Sequence, residues 1–396
     1  MKKILVISSM YPLPEKNGSR QRTMHFVRYF KQFAEVDLVY AQIEGPEVVD
    51  SNIFRKNICV SLGKNMNELM RNLYFLILRL PWCILSKYSA SFKKRLVRLI
   101  YEENYDLIFV RYSIFAQYLI SLPPAIRSKI CLDYDDVLSG SLYEGMYAVS
   151  TRFALKRRLD FKNLVAYEAK CCDRFGTVLF CSEGDLNQVG GKKKSNRYVV
   201  SNVVSGVSTD ENLAVSELVA PHSLLFVGSL NYPPNYDGIL WFVKEIFPEF
   251  KAQFSDARLT IIGRKPGKLL QDIAQGNNIE LYADVPEVMS YYRQNSVVIV
   301  PLLQGSGTRI KILESALHNR PVLSTEKGAE GIDFTDGKEI LIFNDAQTFI
   351  SQYRKLQNRD FYLEVVKRSQ IKVEECYSVN YFNKKMDDII FRAELN

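Results

Sequence analysis

The sequence predicts an α/β protein with two doubly wound domains, and three observations support that prediction. Short apolar runs alternate with longer amphipathic segments along most of the chain, which is typical of parallel sheets covered by helices on both faces. A polar stretch over 205–217, rich in Ser, Asp and Asn, separates two such alternations and indicates a linker. At 396 residues the chain has room for two cores of ordinary size.

The order of the apolar runs sets the expected domain boundaries. We expect a Rossmann-like domain over 1–204, a linker over 205–217, a second Rossmann-like domain over 218–377, and a helix over 378–396 that packs back on the first domain. Ligands of open α/β sheets bind outside the carboxyl ends of the strands. The two domains are therefore expected to face each other across a cleft that holds the ligands.

The apolar runs also predict the individual strands and helices. In the first half, strands are expected at 3–9, 36–41, 58–62, 106–111, 129–133, 178–182 and 198–201. The first helix is expected at 19–33, with Gly18 in the loop before it. In the second half, strands are expected at 223–228, 258–263, 279–282, 297–301, 321–324 and 340–343, and helices at 237–254, 286–293, 309–318, 346–356, 359–373 and 378–394.

Composition narrows the class of protein. Apolar residues make up 47% and charged residues 24%, as in an ordinary globular protein. The net charge of +8 fits a phosphate-bearing partner or an anionic membrane, whereas nucleic acid is disfavoured because the basic residues form no dense stripe. The seven cysteines lack zinc-site spacing and most of them lie among apolar residues, which favours a reducing, cytoplasmic compartment. No apolar run reaches the roughly 20 residues that cross a bilayer.

The clearest chemistry lies at 305–314, Gly-Ser-Gly-Thr-Arg-Ile-Lys-Ile-Leu-Glu, which follows a predicted strand and opens a helix. N–H groups at the start of a helix bind anions. Arg309 and Lys311 add positive charge, which would oppose the helix dipole if no anion were bound there. Glu314 offers a carboxylate to sugar hydroxyl groups. A diphosphate beside a polyol is the chemistry of a nucleotide-sugar, so these three side chains are predicted to be catalytic.

This segment resembles a known family when it is taken with 226–230 (Phe-Val-Gly-Ser-Leu), 320–325 (Arg-Pro-Val-Leu-Ser-Thr) and 328–331 (Gly-Ala-Glu-Gly). Together they resemble the group-1 glycosyltransferases, the large retaining family four with the GT-B fold. The resemblance implies that the C-terminal domain binds a nucleotide diphosphate-sugar and the N-terminal domain binds the acceptor. It also implies a reaction that keeps the anomeric configuration, with no metal or other cofactor required.

The resemblance further implies roles for single residues. Glu314 matches the second glutamate of the family's Glu-x7-Glu motif, which holds the ribose, and Thr308 and Arg309 match positions near the donor phosphates. Gly18 matches the glycine that lets the first loop approach the donor. The complete set of predicted donor-binding residues is Gly18, Gly228, Ser306, Gly307, Thr308, Arg309 and Glu314.

Three positions depart from the family pattern. The first glutamate of the motif falls at Ser306, the usual arginine after the strand-end glycine falls at Ser229, and the usual lysine falls near Asn235 or Tyr236. The two missing basic residues normally clamp the diphosphate. The cations of the 305–314 segment are expected to replace them, because a diphosphate needs cationic donors but does not dictate which loop supplies them.

Acceptor contacts are predicted at Arg22, Asp133, Asp135 and Asp136. The aspartates follow a predicted strand, where carboxylates would accept bonds from sugar hydroxyls; a helix N-cap is the alternative. A bound cation is disfavoured, because one loop supplies too few fixed oxygens. The three histidines include no convincing general base, and front-face attack assisted by the leaving phosphate needs none.

The stretch 69–99 interleaves basic and apolar residues and contains no acidic residue. Such a segment can lie on an anionic membrane surface, and the alternative is an ordinary domain helix packed on the sheet.

The sequence therefore predicts a cytoplasmic enzyme of the GT-B fold, peripheral on the inner face of the membrane if 69–99 makes that contact. It is expected to move a hexose-type sugar from a nucleotide diphosphate donor to a glycan or lipid-linked acceptor, in cell-surface polysaccharide or glycoconjugate synthesis. Two alternatives stay open: a nucleotide-sugar epimerase of similar fold, and a non-catalytic nucleotide-sugar-binding or scaffold protein. The scarcity of histidine disfavours the first, and Ser306 in place of a glutamate favours keeping the second.

Overall fold

Two parallel β-sheets organise the chain. The computed structural model describes residues 1–15, 18–42, 52–61, 68–77, 79–140, 154–190, 194–204, 221–305 and 307–395. The chain divides into two compact units. Unit 1 comprises Met1–Asn202 with Asn383–Asn396, and unit 2 comprises Val203–Phe382. The predicted fold class, α/β with two doubly wound parallel sheets, is confirmed.

Unit 1 is built on a seven-stranded sheet of order β3-β2-β1-β4-β5-β6-β7. Its strands are β1 Lys2–Ser8, β2 Ala34–Gln42, β3 Asn57–Ser61, β4 Leu107–Arg111, β5 Ile130–Tyr134, β6 Thr177–Phe180 and β7 Arg197–Val199. Its helices are α1 Gly18–Phe30, α2 Glu68–Ile77, α3 Trp82–Leu85, α4 Ala90–Glu103, α5 Ser113–Ala116, α6 Pro124–Arg127, α7 Ala154–Arg174 and α8 Glu183–Gly190. The inner strands β1, β4, β5 and β6 are largely buried, which is why they appear in the sequence as continuous apolar runs.

Unit 2 is built on a six-stranded sheet of order β10-β9-β8-β11-β12-β13. Its strands are β8 Ser223–Val227, β9 Arg258–Gly263, β10 Ile279–Ala283, β11 Val297–Val300, β12 Val322–Ser324 and β13 Leu341–Ile342. Its helices are α9 Pro233–Trp241, α10 Phe247–Gln253, α11 Lys268–Ala274, α12 Met289–Gln294, α13 Ile310–Leu317, α14 Glu326–Ala329, α15 Ala346–Leu356 and α16 Arg359–Tyr377. The last helix, α17 Val379–Leu395, begins at the end of unit 2 and lies mostly in unit 1.

The core of unit 2 lies on both faces of its sheet. Leu224 and Phe226 contribute to one apolar cluster, whereas Leu225 between them contributes to the other. This alternation follows from the two-residue period of a strand. In the register of the sheet, Leu225 pairs with Val298 of β11, and that same residue pairs with Val322 of β12. The loops that follow β8, β11 and β12 therefore leave the same edge of the sheet.

The predicted helix over 237–254 is interrupted. The structure has α9 Pro233–Trp241, then a π-helical segment Phe242–Ile246, then α10 Phe247–Gln253. Pro248 lacks an N–H and cannot complete the i to i−4 bond, so the preceding turn widens. The stretch 69–99 likewise forms three short helices, α2, α3 and α4, rather than one.

No helix within the described ranges is long and apolar enough to span a membrane.

Candidate active site

The loop that joins β11 to α13 is shaped by two glycines. Gly305 and Gly307 have φ angles of 104° and 84°, in the left-handed region that favours glycine. A Cβ at Gly305 would also lie 3.1 Å from Pro234, the second residue of α9. The loop therefore folds back against the start of α9 before it enters α13. Ser306, predicted to bind the donor, lies outside the described residues.

The Arg309 side chain is hydrogen-bonded to two backbone carbonyl oxygens of this loop. Its guanidinium group donates to the carbonyl of Gly305 at 2.7 Å and to that of Gly307 at 2.9 Å, and the residue is 6% exposed. A cation is thus fixed at the N-terminus of α13. Its predicted contact with a phosphate stays a prediction, since the contacts described here tie the side chain to its own loop.

Lys311 lies against the end of β8. Its Nζ donates to the side-chain oxygen of Asn235 at 2.9 Å and lies 4.7 Å from the ring centroid of Phe226. A Cβ at Gly228 would lie 2.8 Å from this Nζ, so the absence of a side chain there makes room for the amine. Burial, with repulsion from Arg309, lowers the pKa of Lys311 to about 7.

The position of the Lys311 amine bears on one departure from the family pattern, the missing lysine near Asn235. The usual lysine of the family pattern falls near Asn235, and the Lys311 amine reaches that residue from a different element. The sequence predicted that Lys311 would supply a cation but not where the amine would lie. No sequence pattern indicated the contact between Lys311 and Asn235, because the two residues are 76 positions apart along the chain.

Glu314 follows Lys311 on α13. Burial raises the pKa of its carboxyl group, and Lys311 and the Tyr292 hydroxyl partly offset that effect. Within the described part of the chain, the buried Thr308 hydroxyl oxygen has no hydrogen-bond partner. A buried polar group of this kind is normally satisfied by water or a ligand. The structure thus gathers Gly228, Gly307, Thr308, Arg309, Lys311 and Glu314 at one edge of the unit 2 sheet.

The residues predicted to contact the acceptor form a buried ion-pair cluster in unit 1. Arg22 of α1 donates to the two carboxylate oxygens of Asp133, at 2.6 and 3.0 Å. Its guanidinium group also donates to the Val200 carbonyl and to Asn202. The side chains of Arg22 and Asp133 are 2% and 0% exposed. Their burial favours a role in holding α1 to the end of β5 over direct contact with an acceptor, which stays untested.

Arg111 is the member of this cluster that sequence reasoning missed. It ends β4, is fully buried, and forms ion pairs with Asp133 and, at 3.0 Å, with Asp135. It also donates to the Thr23 hydroxyl at 3.0 Å and to the Ser19 carbonyl at 3.2 Å. Burial acts to raise the pKa of Asp135, but Arg111 and Arg22 outweigh it and lower that pKa. The feature of the sequence that could have indicated Arg111 is a charged residue at the end of an apolar strand.

Tyr112 follows Arg111 in a strained conformation. Its φ is 72° and its ψ is 136°, which an L side chain rarely adopts. Its N–H donates to the Asp133 carbonyl at 3.0 Å, and its hydroxyl contacts the Ser19 hydroxyl at the start of α1. Strained residues of this kind concentrate at functional sites, where the surrounding contacts enforce them.

Two further predicted residues lie near this cluster. Gly18 is the first residue of α1 rather than a loop residue, so it stands at the helix N-terminus beside Ser19. Asp136 lies beside Glu168, whose pKa burial raises to about 7 although bonds from Ser139 and Leu138 act in the opposite direction. The structure therefore groups the predicted acceptor residues at the carboxyl ends of β4 and β5.

Comparison with known proteins finds a family model that matches part of the second unit. Residues 221–359 match the family model described as "Glycosyl transferases group 1". A protein described as "Uncharacterized 44.6 kDa protein in cps region", from Klebsiella pneumoniae, is 27% identical over 178 residues. That match covers 43% of this chain and 45% of the relative, so the alignment spans less than half of either protein.

Two solved structures resemble the chain over essentially its whole length. Sucrose-phosphate synthase from Thermosynechococcus elongatus superposes with a TM-score of 0.70 at 14% identity and covers 100% of both chains. HepE from Anabaena, solved in complex with UDP-glucose, superposes with a TM-score of 0.61 at 12% identity. It covers 99% of this chain and 100% of its own. At these identities the likeness shows the fold.

Proposed function

We propose that this chain is a retaining glycosyltransferase of family four that uses a nucleoside diphosphate-sugar; the match of residues 221–359 to the group 1 glycosyltransferase family model and the likeness in fold support this proposal. The acceptor we propose is a glycan or a lipid-linked glycan of a cell-surface polysaccharide or glycoconjugate. The relative in the cps region and the HepE complex with UDP-glucose support this setting and this donor class by analogy.

The observation that carries the proposal is the position of Lys311. Its amine lies at the end of β8 beside Gly228 and Asn235, and Lys311 is the second residue of α13. Ligands of doubly wound sheets bind at this edge, and a helix N-terminus with adjacent cations suits a diphosphate. Burial lowers the pKa of this amine although the nearby Glu314 acts in the opposite direction, and a bound anion would favour the charged form of the amine.

The proposed reaction breaks the bond from the anomeric carbon to the donor phosphate oxygen and forms a bond from that carbon to the acceptor oxygen. Negative charge develops on the departing diphosphate, where Lys311 and the N–H groups that open α13 would stabilise it. The acceptor hydroxyl proton passes to an oxygen of the departing diphosphate, so no protein base is required. Attack on the face that the phosphate leaves retains the anomeric configuration.

Glu314 is proposed to accept hydrogen bonds from the ribose hydroxyls of the donor. It lies on α13 within electrostatic reach of Lys311, so one short helix would present a cation to the diphosphate and an acceptor to the pentose. In unit 1, the cluster of Arg22, Arg111, Asp133 and Asp135 is proposed to position the loops that meet the acceptor.

The test combines donor binding with turnover. Nucleoside diphosphates and UDP-sugars should raise the thermal midpoint of unfolding, since a ligand at 100 times its dissociation constant adds about 2.7 kcal/mol. Lys311→Ala should remove most of that shift, whereas the exposed Lys355→Ala should not. A transferase releases free nucleoside diphosphate when acceptor is added. An epimerase would convert the donor without releasing free nucleoside diphosphate, and a scaffold would bind the donor without converting it. Either result would contradict the proposal.

A further inference from the structure

The short helix α2 exposes an apolar stripe. Leu73, Leu76 and Ile77 are 46%, 66% and 67% exposed. Their spacing of three and four residues places them on one face of the helix. Surface helices ordinarily direct their polar face outward, so a contiguous exposed apolar stripe indicates a surface that binds something.

Contacts on the opposite face of α2 fix the orientation of this stripe. Phe75, on the opposite face of α2, is buried and its ring meets that of Trp82 with centroids 6.3 Å apart. The backbone N–H of Trp82 donates to Asp160 of α7 at 2.6 Å, and the Nζ of Lys156 lies 4.2 Å from the centroid of the Trp82 ring. The first turns of α7 are therefore held next to α2 and α3.

Most of the charges around the stripe are positive. Residues 72–90 and 154–160 contain five basic residues, Arg79, Lys87, Lys156, Arg157 and Arg158, and one acidic residue, Asp160. All five basic side chains are exposed. The single carboxylate is occupied by the Trp82 N–H. Exposed apolar side chains bordered by cations complement a bilayer surface that carries anionic lipid phosphates.

We propose that this face, formed by α2, the 79–87 segment and the first turns of α7, docks on an anionic lipid bilayer. Leu73, Leu76 and Ile77 enter the boundary between headgroups and acyl chains, while the five cations lie over lipid phosphates. This docking goes beyond the donor chemistry proposed above and does not depend on it. It would bring the enzyme to acceptors held on a membrane.

The test measures sedimentation of the full chain with sucrose-loaded vesicles. One set contains phosphatidylcholine alone and the other contains about one third phosphatidylglycerol. We expect binding to the anionic vesicles only, weakened by salt. The triple variant Lys156→Gln, Arg157→Gln, Arg158→Gln should bind on the order of 100-fold more weakly, at about fivefold for each cation. The double variant Leu76→Ser, Ile77→Ser should also lose binding.

Matched controls come from unit 2. Arg354→Gln, Lys355→Gln, Arg359→Gln removes three exposed cations there, and Ile371→Ser removes an apolar side chain that is 46% exposed. Both should bind anionic vesicles as the parent chain does. The far-UV circular dichroism spectrum and the thermal midpoint of unfolding should be the same for all four variants as for the parent chain, which separates a docking defect from misfolding.

Three outcomes would overturn the proposal. One is equal binding to both vesicle types, or to neither. Another is loss of binding in the unit 2 controls as large as in the docking-face variants. The third is a parent chain that self-associates in analytical ultracentrifugation and becomes monomeric in the Leu76→Ser, Ile77→Ser variant, which would make the stripe an interface between copies.

Discussion

At the scale of single residues, Lys311 concentrates the chemistry of the proposed donor site. Its amine lies within hydrogen-bond distance of Asn235 and 4.7 Å from the Phe226 ring centroid. Burial lowers its pKa to about 7, so the free protein holds it largely neutral at pH 8. A diphosphate favours the charged form and raises that pKa again.

Donor binding at pH 8 is therefore expected to take up a proton at Lys311. Isothermal titration calorimetry of a nucleoside diphosphate in buffers of different ionisation enthalpy should give a slope of up to one proton bound. Lys311→Met should abolish the slope, and the exposed Lys355→Met should preserve it. Affinity should also fall as the pH rises above 7, because protonating the amine then costs more. An unchanged slope in Lys311→Met would place the proton elsewhere.

A substitution at Gly228 tests the same donor contact without changing Lys311 itself. A Cβ there would meet Lys311 Nζ at 2.8 Å and the Asn235 side-chain nitrogen at 3.0 Å. The lysine end is flexible, so Gly228→Ala should fold normally while displacing the amine. Loss of one charge-assisted hydrogen bond is worth about 1.5–3 kcal/mol, or roughly ten- to 100-fold in donor affinity.

The control for that variant is Gly276→Ala. Gly276 has a φ of 80° and no atom within 4 Å of an added Cβ, so the substitution strains the backbone without touching the site. It should lower the free energy of unfolding by about 1 kcal/mol and leave donor affinity unchanged. If Gly228→Ala lost stability in the same way but bound the donor normally, the amine would not be a donor contact.

At the scale of elements, the buried ion-pair cluster ties α1 to the ends of β4 and β5. Arg111→Met should cost about 3–5 kcal/mol of folding free energy, because it leaves Asp133 and Asp135 with a single buried guanidinium partner. Urea unfolding measures this loss. Arg98→Met removes an arginine that is 75% exposed and should leave the free energy of unfolding almost unchanged.

A charge-balanced variant makes the reason for that loss specific. Arg111→Met combined with Asp135→Asn removes one charge of each sign and should recover part of the stability lost in Arg111→Met alone. If the double variant lost more free energy of unfolding than the two single variants together, the loss would arise from packing around Arg111 rather than from an unpaired carboxylate.

The strands were the elements that the sequence predicted best. Strands buried on both faces require continuous apolar runs, so β1, β4 and β11 could be located to within about two residues. Contacts between charged side chains were much harder to predict. Arg111 reaches Asp133 only because β4 and β5 are neighbours in the sheet, and Lys311 reaches Asn235 only because α13 follows a strand beside β8. Such pairs depend on the topology, which no local pattern encodes.

The same limit applies to the stretch 69–99. Its basic and apolar composition predicted a membrane-facing segment or a packed helix, and the structure contains a packed helix and an exposed apolar helix face. Phe92 and Leu96 of α4 are buried in the core of unit 1, whereas Leu73, Leu76 and Ile77 of α2 are exposed. Which apolar residues face outward depends on what α2 and α4 pack against, and the sequence of one segment does not contain that information.

At the scale of the whole molecule, each unit has its own sheet and its own apolar core. Units of this kind are expected to unfold in separate transitions, and calorimetry can resolve them. Leu5 in β1 and Leu259 in β9 are both fully buried and mark one unit each. Leu→Ala at either position should cost about 2–5 kcal/mol and lower only the transition of its own unit.

With the transitions assigned in this way, nucleoside diphosphate should raise the transition marked by Leu259→Ala. At 100 times the dissociation constant the added stability is about 2.7 kcal/mol, which for a domain of this size corresponds to a shift of roughly 5–10 °C. The Lys311→Ala variant should keep both transitions and lose the shift. A shift confined to the transition marked by Leu5→Ala would instead assign the nucleotide to unit 1, because a ligand stabilises the part of the protein whose folded state binds it.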